Sequence, residues 1–303
     1  MFDYKLLHAL NVVIAQQSFE KAAVELCLTQ SAVSQRIKLL EQTLGQPVLI
    51  RSQPIEPTPL GMKLLAHYQQ VSQLEQAIMP QINAQGASEN IQVNLASNAD
   101  SLATWLISAI GEISHDYNLS VNFLIADENR TLNFVKKGEA FAAISTVEKA
   151  LSGCSVDKLG DMTYILVASK PFQRRYFSNG IDSDSLKHAP AVAFDQKDDM
   201  HINYIEQHFG LKGGGYPCHT VRSSEAFVAF ATQGLAYCLI PQLQIQTELA
   251  QGKLINLLPD KTLTRTLYWH RWSLLRGAFK ALSQVVLKQG QAALNDTCVN
   301  NQQ

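Results

Sequence analysis

Leu6, Leu7, Leu10, Val13 and Ile14 recur at helical spacing and predict a first helix ending near Gln16. Ser18 is placed to cap a second helix, Phe19 to Leu26, with Ala22, Ala23 and Leu26 turned inward. Cys27 and Leu28 make the turn, Thr29 caps a third helix running to about Leu44, and Gly45 ends it. The stretch "QPVLIRSQPIEPTP" combines a short β-prone run with repeated prolines, so it predicts an extended excursion and not another helix.

From Pro59 to about Ile82 the pattern becomes one long helix, about 35 Å at the usual rise per residue. Leu60, Leu64, His67, Val71, Leu74 and Ile78 form a heptad seam along it, and a second copy of the chain is the natural cover for such a stripe. The polar run "NAQGASEN", residues 83–90, reads as a hinge. Beyond it, "IQVNLA", "LSVNFLIAD", "AFAAIS", "TYILVAS", "AVAFD" and "LAYCLIP" read as strands alternating with helical segments, which predicts parallel α/β units in two lobes. The expected division is a helical head over residues 1–58, a linker helix over 59–82, the hinge over 83–90 and a two-lobed α/β domain over 91–295. Its first lobe takes about 91–161 and 268–295, and its second about 162–267. "RGAFKALSQVVLKQGQAAL" is the closing helix, and Gly213–Gly214–Gly215 is a loop.

On a helical wheel with Val33 at zero, Ile37, Leu40 and Leu44 fall within about 40° and form the core face. Ser31, Gln35, Lys38 and Gln42 cluster opposite, with Ser34 on one shoulder. Apart from Lys38 these are uncharged hydrogen-bonding side chains, where a merely solvated stripe more often carries Glu and Lys. Gln can bond adenine through both of its groups, Ser reaches several base edges, and Lys meets guanine or phosphate. A helix-turn-helix whose second helix carries this inventory suits a DNA major groove.

Charge adds little to that picture. The chain of 303 residues has a net charge near −1, so bulk charge neither requires nor forbids a polyanionic partner. Arg36, Lys38, Arg51 and Lys63 nevertheless gather near the third helix and the excursion, against Glu41 and Glu56. Such modest basicity predicts weak binding by one head and a need for dimer geometry. No secretion-signal pattern opens the sequence and no window reaches the roughly 18 apolar residues of a membrane span. The five cysteines lie far apart and mostly in apolar segments, so reduced core thiols of a cytoplasmic protein are expected.

"AAVELCLTQSAVSQRIKLLEQTLGQPVLIR…PTPLGMKLL" closely resembles the N-terminal domain of LysR-type transcriptional regulators. The Thr29-Gln30-Ser31-Ala32-Val33-Ser34 start, the Ile37-Lys38-x-Leu40-Glu41 core and the order Leu44-Gly45…Arg51…Thr58…Gly61 carry the resemblance over roughly residues 2–65. Leu49 stands where the family usually has Phe, and Leu60 where it usually has Ala; both concern packing of the wing. The resemblance implies a winged helix-turn-helix head, a dimer-forming linker helix and a two-lobed α/β effector domain like periplasmic binding proteins. Its DNA contacts would fall on Gln30, Ser31, Ser34, Gln35, Arg36, Lys38, Arg51 and Thr58. "NADSLATWL", "AVAFDQKDDMH", "VRSSEAFV" and "LYWHR" further resemble the arginine/lysine-responsive subgroup. That implies double-stranded operator DNA, arginine or lysine, a second copy of the chain (a homodimer or tetramer) and RNA polymerase as partners, in control of basic amino-acid export and lysine supply.

Parallel-stranded lobes bind ligands at the carboxyl ends of strands, beside helix N-termini. Ser97, Asp100 and Ser101 fall at the end of the first strand, Asp127 at the second, and Ser145 and Asp195 at two more, while Ser223 and Glu225 open a later helix. These eight are the expected effector residues. Their carboxylates suit a cationic ligand, because a buried ammonium left unpaired is costly. No Gly-x-Ser-x-Gly, Walker loop, His-Glu-x-x-His or Gly-x-Gly-x-x-Gly is present, and adjacent Cys218 and His219 have no metal-site spacing. No enzyme, cofactor or metal site is therefore expected. A solute-binding transport component would use the two-lobed part alone, and the N-terminal helix-turn-helix speaks against it.

Overall fold

The computed structural model describes residues 2–82, 90–114, 116–195 and 199–295. The head is built from α1 (Tyr4–Gln16), α2 (Phe19–Glu25) and α3 (Gln30–Leu44), followed by a two-stranded antiparallel wing, β1 (Leu49–Ile50) and β2 (Glu56–Pro57). The caps are those the sequence predicts. Ser18 accepts from Lys21 N and Thr29 from Ala32 N, while Gly45 ends α3 in the left-handed region at φ 69°. Leu7, Leu10, Val13, Ala22, Val33, Ile37 and Leu40 close one core, which Val48 and Leu49 of the wing and Leu64 and Leu65 of the next helix complete.

That next helix, α4, spans Pro59–Ile82. The expectation of a seam reserved for a second copy needs correcting in its N-terminal half. Leu60, Leu64 and Leu65 pack into the head's own core, His67 lies 3.1 Å from the Tyr4 hydroxyl, and Tyr68 bonds His8 at 2.7 Å. The first helix covers this half because α1 and α4 run alongside each other; Val71 and Leu74 are half-buried and take no part in the head's core. Apart from Asn90, the expected hinge over residues 83–90 lies outside the described residues.

The C-terminal part follows in the order β3 (Ile91–Ser97), α5 (Ala99–Ser101), a π-helical turn (Leu102–Leu106), α6 (Ile107–Ser114), β4 (Leu119–Ile125), α7 (Leu132–Lys136), β5 (Ala142–Ser145) and β6 (Cys154–Ala168). Then come α8 (Lys170–Tyr176), α9 (Ser183–His188), β7 (Ala191–Ala193), α10 (Asp199–Phe209), β8 (Cys218–Thr220), α11 (Ser224–Thr232) and β9 (Cys238–Pro241). The chain closes through α12 (Gln246–Ala250), β10 (Ile255–Asn256), β11 (Leu263–Trp272) and α13 (Gly277–Asn295).

The main sheet runs β10-β6-β11-β5-β3-β4, with β9 also on β6. β3 is parallel to β4 and β5, and β7 to β8, as alternation predicts. The expectation of purely parallel units fails at β6 and β11, which pair antiparallel with each other; β11 is also antiparallel to β5, and β6 to β9 and β10. The reason is connectivity: one long strand crosses from the first lobe to the second and another must return, so the two run in opposite directions. Trp269 sits fully buried on the return strand, donating Nε1–H to Ser283 Oγ at 2.8 Å. The cysteines are not uniformly core thiols. Cys238 is buried and Cys154 half-buried, but Cys27 and Cys218 are exposed.

Candidate functional sites: the outer face of the third helix and the cleft between lobes

Burying Val33, Ile37 and Leu40 turns the opposite side of α3 to solvent. Gln30, Ser31, Gln35, Lys38 and Gln42 are exposed there, and Ser34 and Arg36 are half-buried on its edges. Leu39, 51% exposed, joins the same face; polar-pattern reasoning passes over it, although an apolar side chain can meet a thymine methyl. Arg51 is exposed in the wing region with its guanidinium 5.7 Å from the centre of the Phe19 ring, which holds the charge beside the start of α2. Glu41 reaches back to accept from Val48 N at 3.0 Å and ties α3 to the wing.

Thr58 has a different position from the other expected contacts. Its hydroxyl donates to Pro47 O at 2.9 Å and accepts from Gly61 N at 3.1 Å, so it caps α4 and fastens the wing from inside. These two bonds give Thr58 a positioning role within the head.

In the C-terminal part, the ends of β3 and β4 and the start of α11 meet at a cavity of about 40 Å³ between the lobes. Asn98, Asp100, Asp127 and Glu128 enter from the first lobe, and Phe194, Met200 and Ser224 from the second. Asp100 is the centre of the polar contacts. It accepts from Tyr164 Oη at 2.8 Å and from Ser224 Oγ at 2.6 Å, the latter across the two lobes. Glu128 is only 5% exposed, and its carboxyl is pushed up to about 7, first by burial and then by the charges of Asp127 and Asp100. Burial likewise raises Tyr164 well above the ordinary phenol range. The Asn98 amide and the Ser101 hydroxyl are buried with no hydrogen-bond partner among the described residues, which leaves donors at the start of α5 for a ligand's oxygen atoms.

Of the expected effector residues, Asp100 and Asp127 line this cavity. Ser101, the next residue after Asp100, is fully buried and does not line it. The other five lie elsewhere. Ser97 is fully buried and donates to Asn98 O. Ser145 donates to Glu128 O at 2.9 Å, so it fixes the backbone of a lining residue instead of lining the cavity itself. Ser223 caps α11 and bonds Glu225, whose side chain stays exposed; the neighbouring Ser224 takes the inward place. Asp195 lies outside this cavity, paired with Arg130 across the lobes at 3.0 Å and with Arg222 at 3.8 Å. Strand-end reasoning selects the right level of the molecule, but the turn after each strand decides which neighbour points inward. Glu128 and Asn98 escaped for that reason, each being adjacent to a residue that was selected.

A space of 40 Å³ holds about one water. An amino acid enters only if the lobes part or the lining side chains rearrange. The arrangement therefore combines a carboxylate-rich ligand cleft, closed by a bridge from Asp100 to Ser224, with a hydrogen-bonding helix face presented outward from the head.

Known proteins match this arrangement over nearly the whole chain. Residues 4–62 match the model for the bacterial regulatory helix-turn-helix protein, lysR family, and residues 86–291 match that for the LysR substrate binding domain. The HTH-type transcriptional regulator ArgP of Aeromonas salmonicida is 54% identical over 292 residues, which cover 96% of this chain and 98% of that protein. The crystal structure of ArgP from Mycobacterium tuberculosis superposes with a TM-score of 0.84 at 31% identity, covering 96% of this chain and 98% of that one. Full-length LysG from Corynebacterium glutamicum, with bound effector arginine, superposes with a TM-score of 0.79 at 27% identity over 95% of this chain and 98% of that one. An outward polar helix face, a wing, a linker helix and a two-lobed cleft thus occur together in one chain, and that chain belongs to the LysR family of bacterial transcriptional regulators.

Proposed function

We propose that this regulator senses arginine or lysine, acting in the cytoplasm and catalysing no reaction, and that it controls genes for basic amino-acid export or for lysine and arginine metabolism. The observation that carries the effector assignment is the meeting of Asp100, Asp127 and Glu128 on one small cavity beside the unpartnered Asn98 amide. Three carboxylates confined together repel one another, and a ligand bearing one or two cationic groups relieves that repulsion. The amide of Asn98 then suits the ligand's α-carboxylate. The arginine bound by the LysG relative fits the same chemistry.

Ser31, Gln35, Lys38 and Gln42 read base edges in this proposal, and Arg36 and Arg51 hold phosphates, in the context of a homodimer or tetramer. Ligand binding shifts the population of lobe arrangements, and paired effector domains transmit the change to the spacing of two heads.

A melting screen across the amino acids tests the effector assignment. At about a hundredfold excess over the dissociation constant, arginine or lysine stabilises the fold by about 2.7 kcal/mol, and Asp100→Ala abolishes that response. A response confined to aromatic or dicarboxylic amino acids overturns the assignment.

A further inference from the structure

A second concavity, of about 420 Å³, opens on the second lobe and shares no lining residue with the cavity around Asp100. Three separate segments meet there. β6 ends at Ala168 and passes through Ser169 into α8, which brings Lys170 and Arg175. The turn between α11 and β9 brings Gln233 and Gly234, and the turn after α12 brings Gly252 and Lys253.

These segments share one sign of charge. Residues 169–177, 232–236 and 250–254 contain Lys170, Arg174, Arg175 and Lys253 and neither Asp nor Glu, in a chain whose net charge is −1. Among the described residues, none of the three lining cations takes part in an ion pair. Both turns carry glycine in the left-handed region, Gly234 at φ 70° and Gly252 at φ 66°. A Cβ at Gly252 would lie 3.5 Å from Lys170 Nζ, and one at Gly234 would lie 3.0 Å from Ser169 Oγ. The Lys170 ammonium thus passes close over the bare backbone of Gly252 at the rim of the concavity while its side chain stays exposed. Like charges gathered in this way repel, and an anion among them removes the repulsion.

We propose that this pocket binds a phosphate-bearing small molecule and gives the regulator an anionic input separate from the cleft. A guanidinium supplies the planar fork that phosphate oxygens accept from, and two ammonium groups supply point charges. The volume is that of a small-ligand site and accommodates a group of nucleotide size. The strand that feeds the pocket at Ser169 also carries Tyr164, the hydrogen-bond donor to Asp100, so one continuous element links the two sites.

Titration calorimetry on the full chain at constant ionic strength tests the proposal, with inorganic phosphate, pyrophosphate and AMP as probes and citrate and adenosine as controls. The partner protein is the double variant Lys170→Ala/Lys253→Ala, which truncates two exposed side chains; its circular dichroism and melting without added anion establish that it folds. The expected result is saturable binding of at least one phosphate probe, weakened at least tenfold in the variant, with no binding of adenosine. The general stabilising effect of phosphate salts acts on both proteins alike and cancels in the comparison. Absence of saturable binding, equal affinity in the variant, or citrate binding as tightly as pyrophosphate overturns the proposal. So does a variant that keeps pyrophosphate binding but loses affinity for duplex DNA, since the lysines would then serve nucleic acid. The response to arginine is read separately, so failure here leaves the cleft assignment untouched.

Discussion

Glu128 concentrates the electrostatics of the cleft in one side chain. Its carboxyl, buried beside Asp127 and Asp100, is pushed up to about 7, so the folded protein favours the protonated form. Below about pH 4.5 the group is protonated in both folded and unfolded chains and has no effect on stability. As pH rises toward 7 the unfolded chain gains by ionising first, and the fold loses on the order of 3 kcal/mol before the effect levels off. Glu128→Gln removes that loss: the stability gap between variant and wild type, measured by urea unfolding, should widen from pH 5 to pH 8. A gap independent of pH would show that Glu128 is not held protonated. A cationic ligand reverses the preference, so arginine binding should tighten as pH rises to about 7 and release a proton, seen as a buffer-dependent heat in calorimetry. On the head, Gln35→Ala should cost about 1–3 kcal/mol on the cognate operator and little on unrelated DNA. Retained affinity for the operator would refute the reading role of α3. The outward face of α3 was legible from spacing alone, because a helix whose apolar face is known has its polar face settled too. Glu128 was not, since nothing local distinguishes it from Asp127.

At the scale of elements, caps and periodicities located α1, α2, α3 and α4 almost to the residue, while the wing depends on contacts that only the fold supplies. Gly61 shows the difference. A Cβ there would lie 2.1 Å from the Val48 carbonyl oxygen, a backbone atom at the edge of β1 that cannot move without dismantling the wing. Gly61→Ala should therefore lower the melting temperature and weaken DNA binding, although it touches no expected DNA contact. An unchanged melting temperature would mean that the wing packs differently. Thr58 matters through the same junction. The parallel pairing of β3, β4 and β5 was legible from strand and helix alternation; the antiparallel β6 and β11 were not, since alternation says nothing about a strand that serves two lobes.

Across the whole molecule, α4 joins head and effector domain by more than covalent connection. Gly138, at φ 76° in the turn between α7 and β5, approaches so closely that a Cβ would lie 2.6 Å from Ala66 Cα in α4. Gly138→Ala combines left-handed strain of about 1–2 kcal/mol with a backbone clash. It should force the effector domain away from the linker helix, and the expected outcome is arginine binding retained while DNA footprints no longer differ with and without ligand. A footprint that still responds would place the coupling elsewhere.

The order and type of the head's helices, the outward polar face of α3 and the alternation of the effector domain were decided along the chain, because periodicity, caps and glycine stops act between near neighbours in sequence. Which acids share a cavity, which serine turns inward, how α1 covers half of the linker seam, and where Lys170 meets Gly252 were decided only in three dimensions. Those outcomes depend on turns after strands and on the packing of distant segments, where a step of one residue turns a side chain from cavity to core.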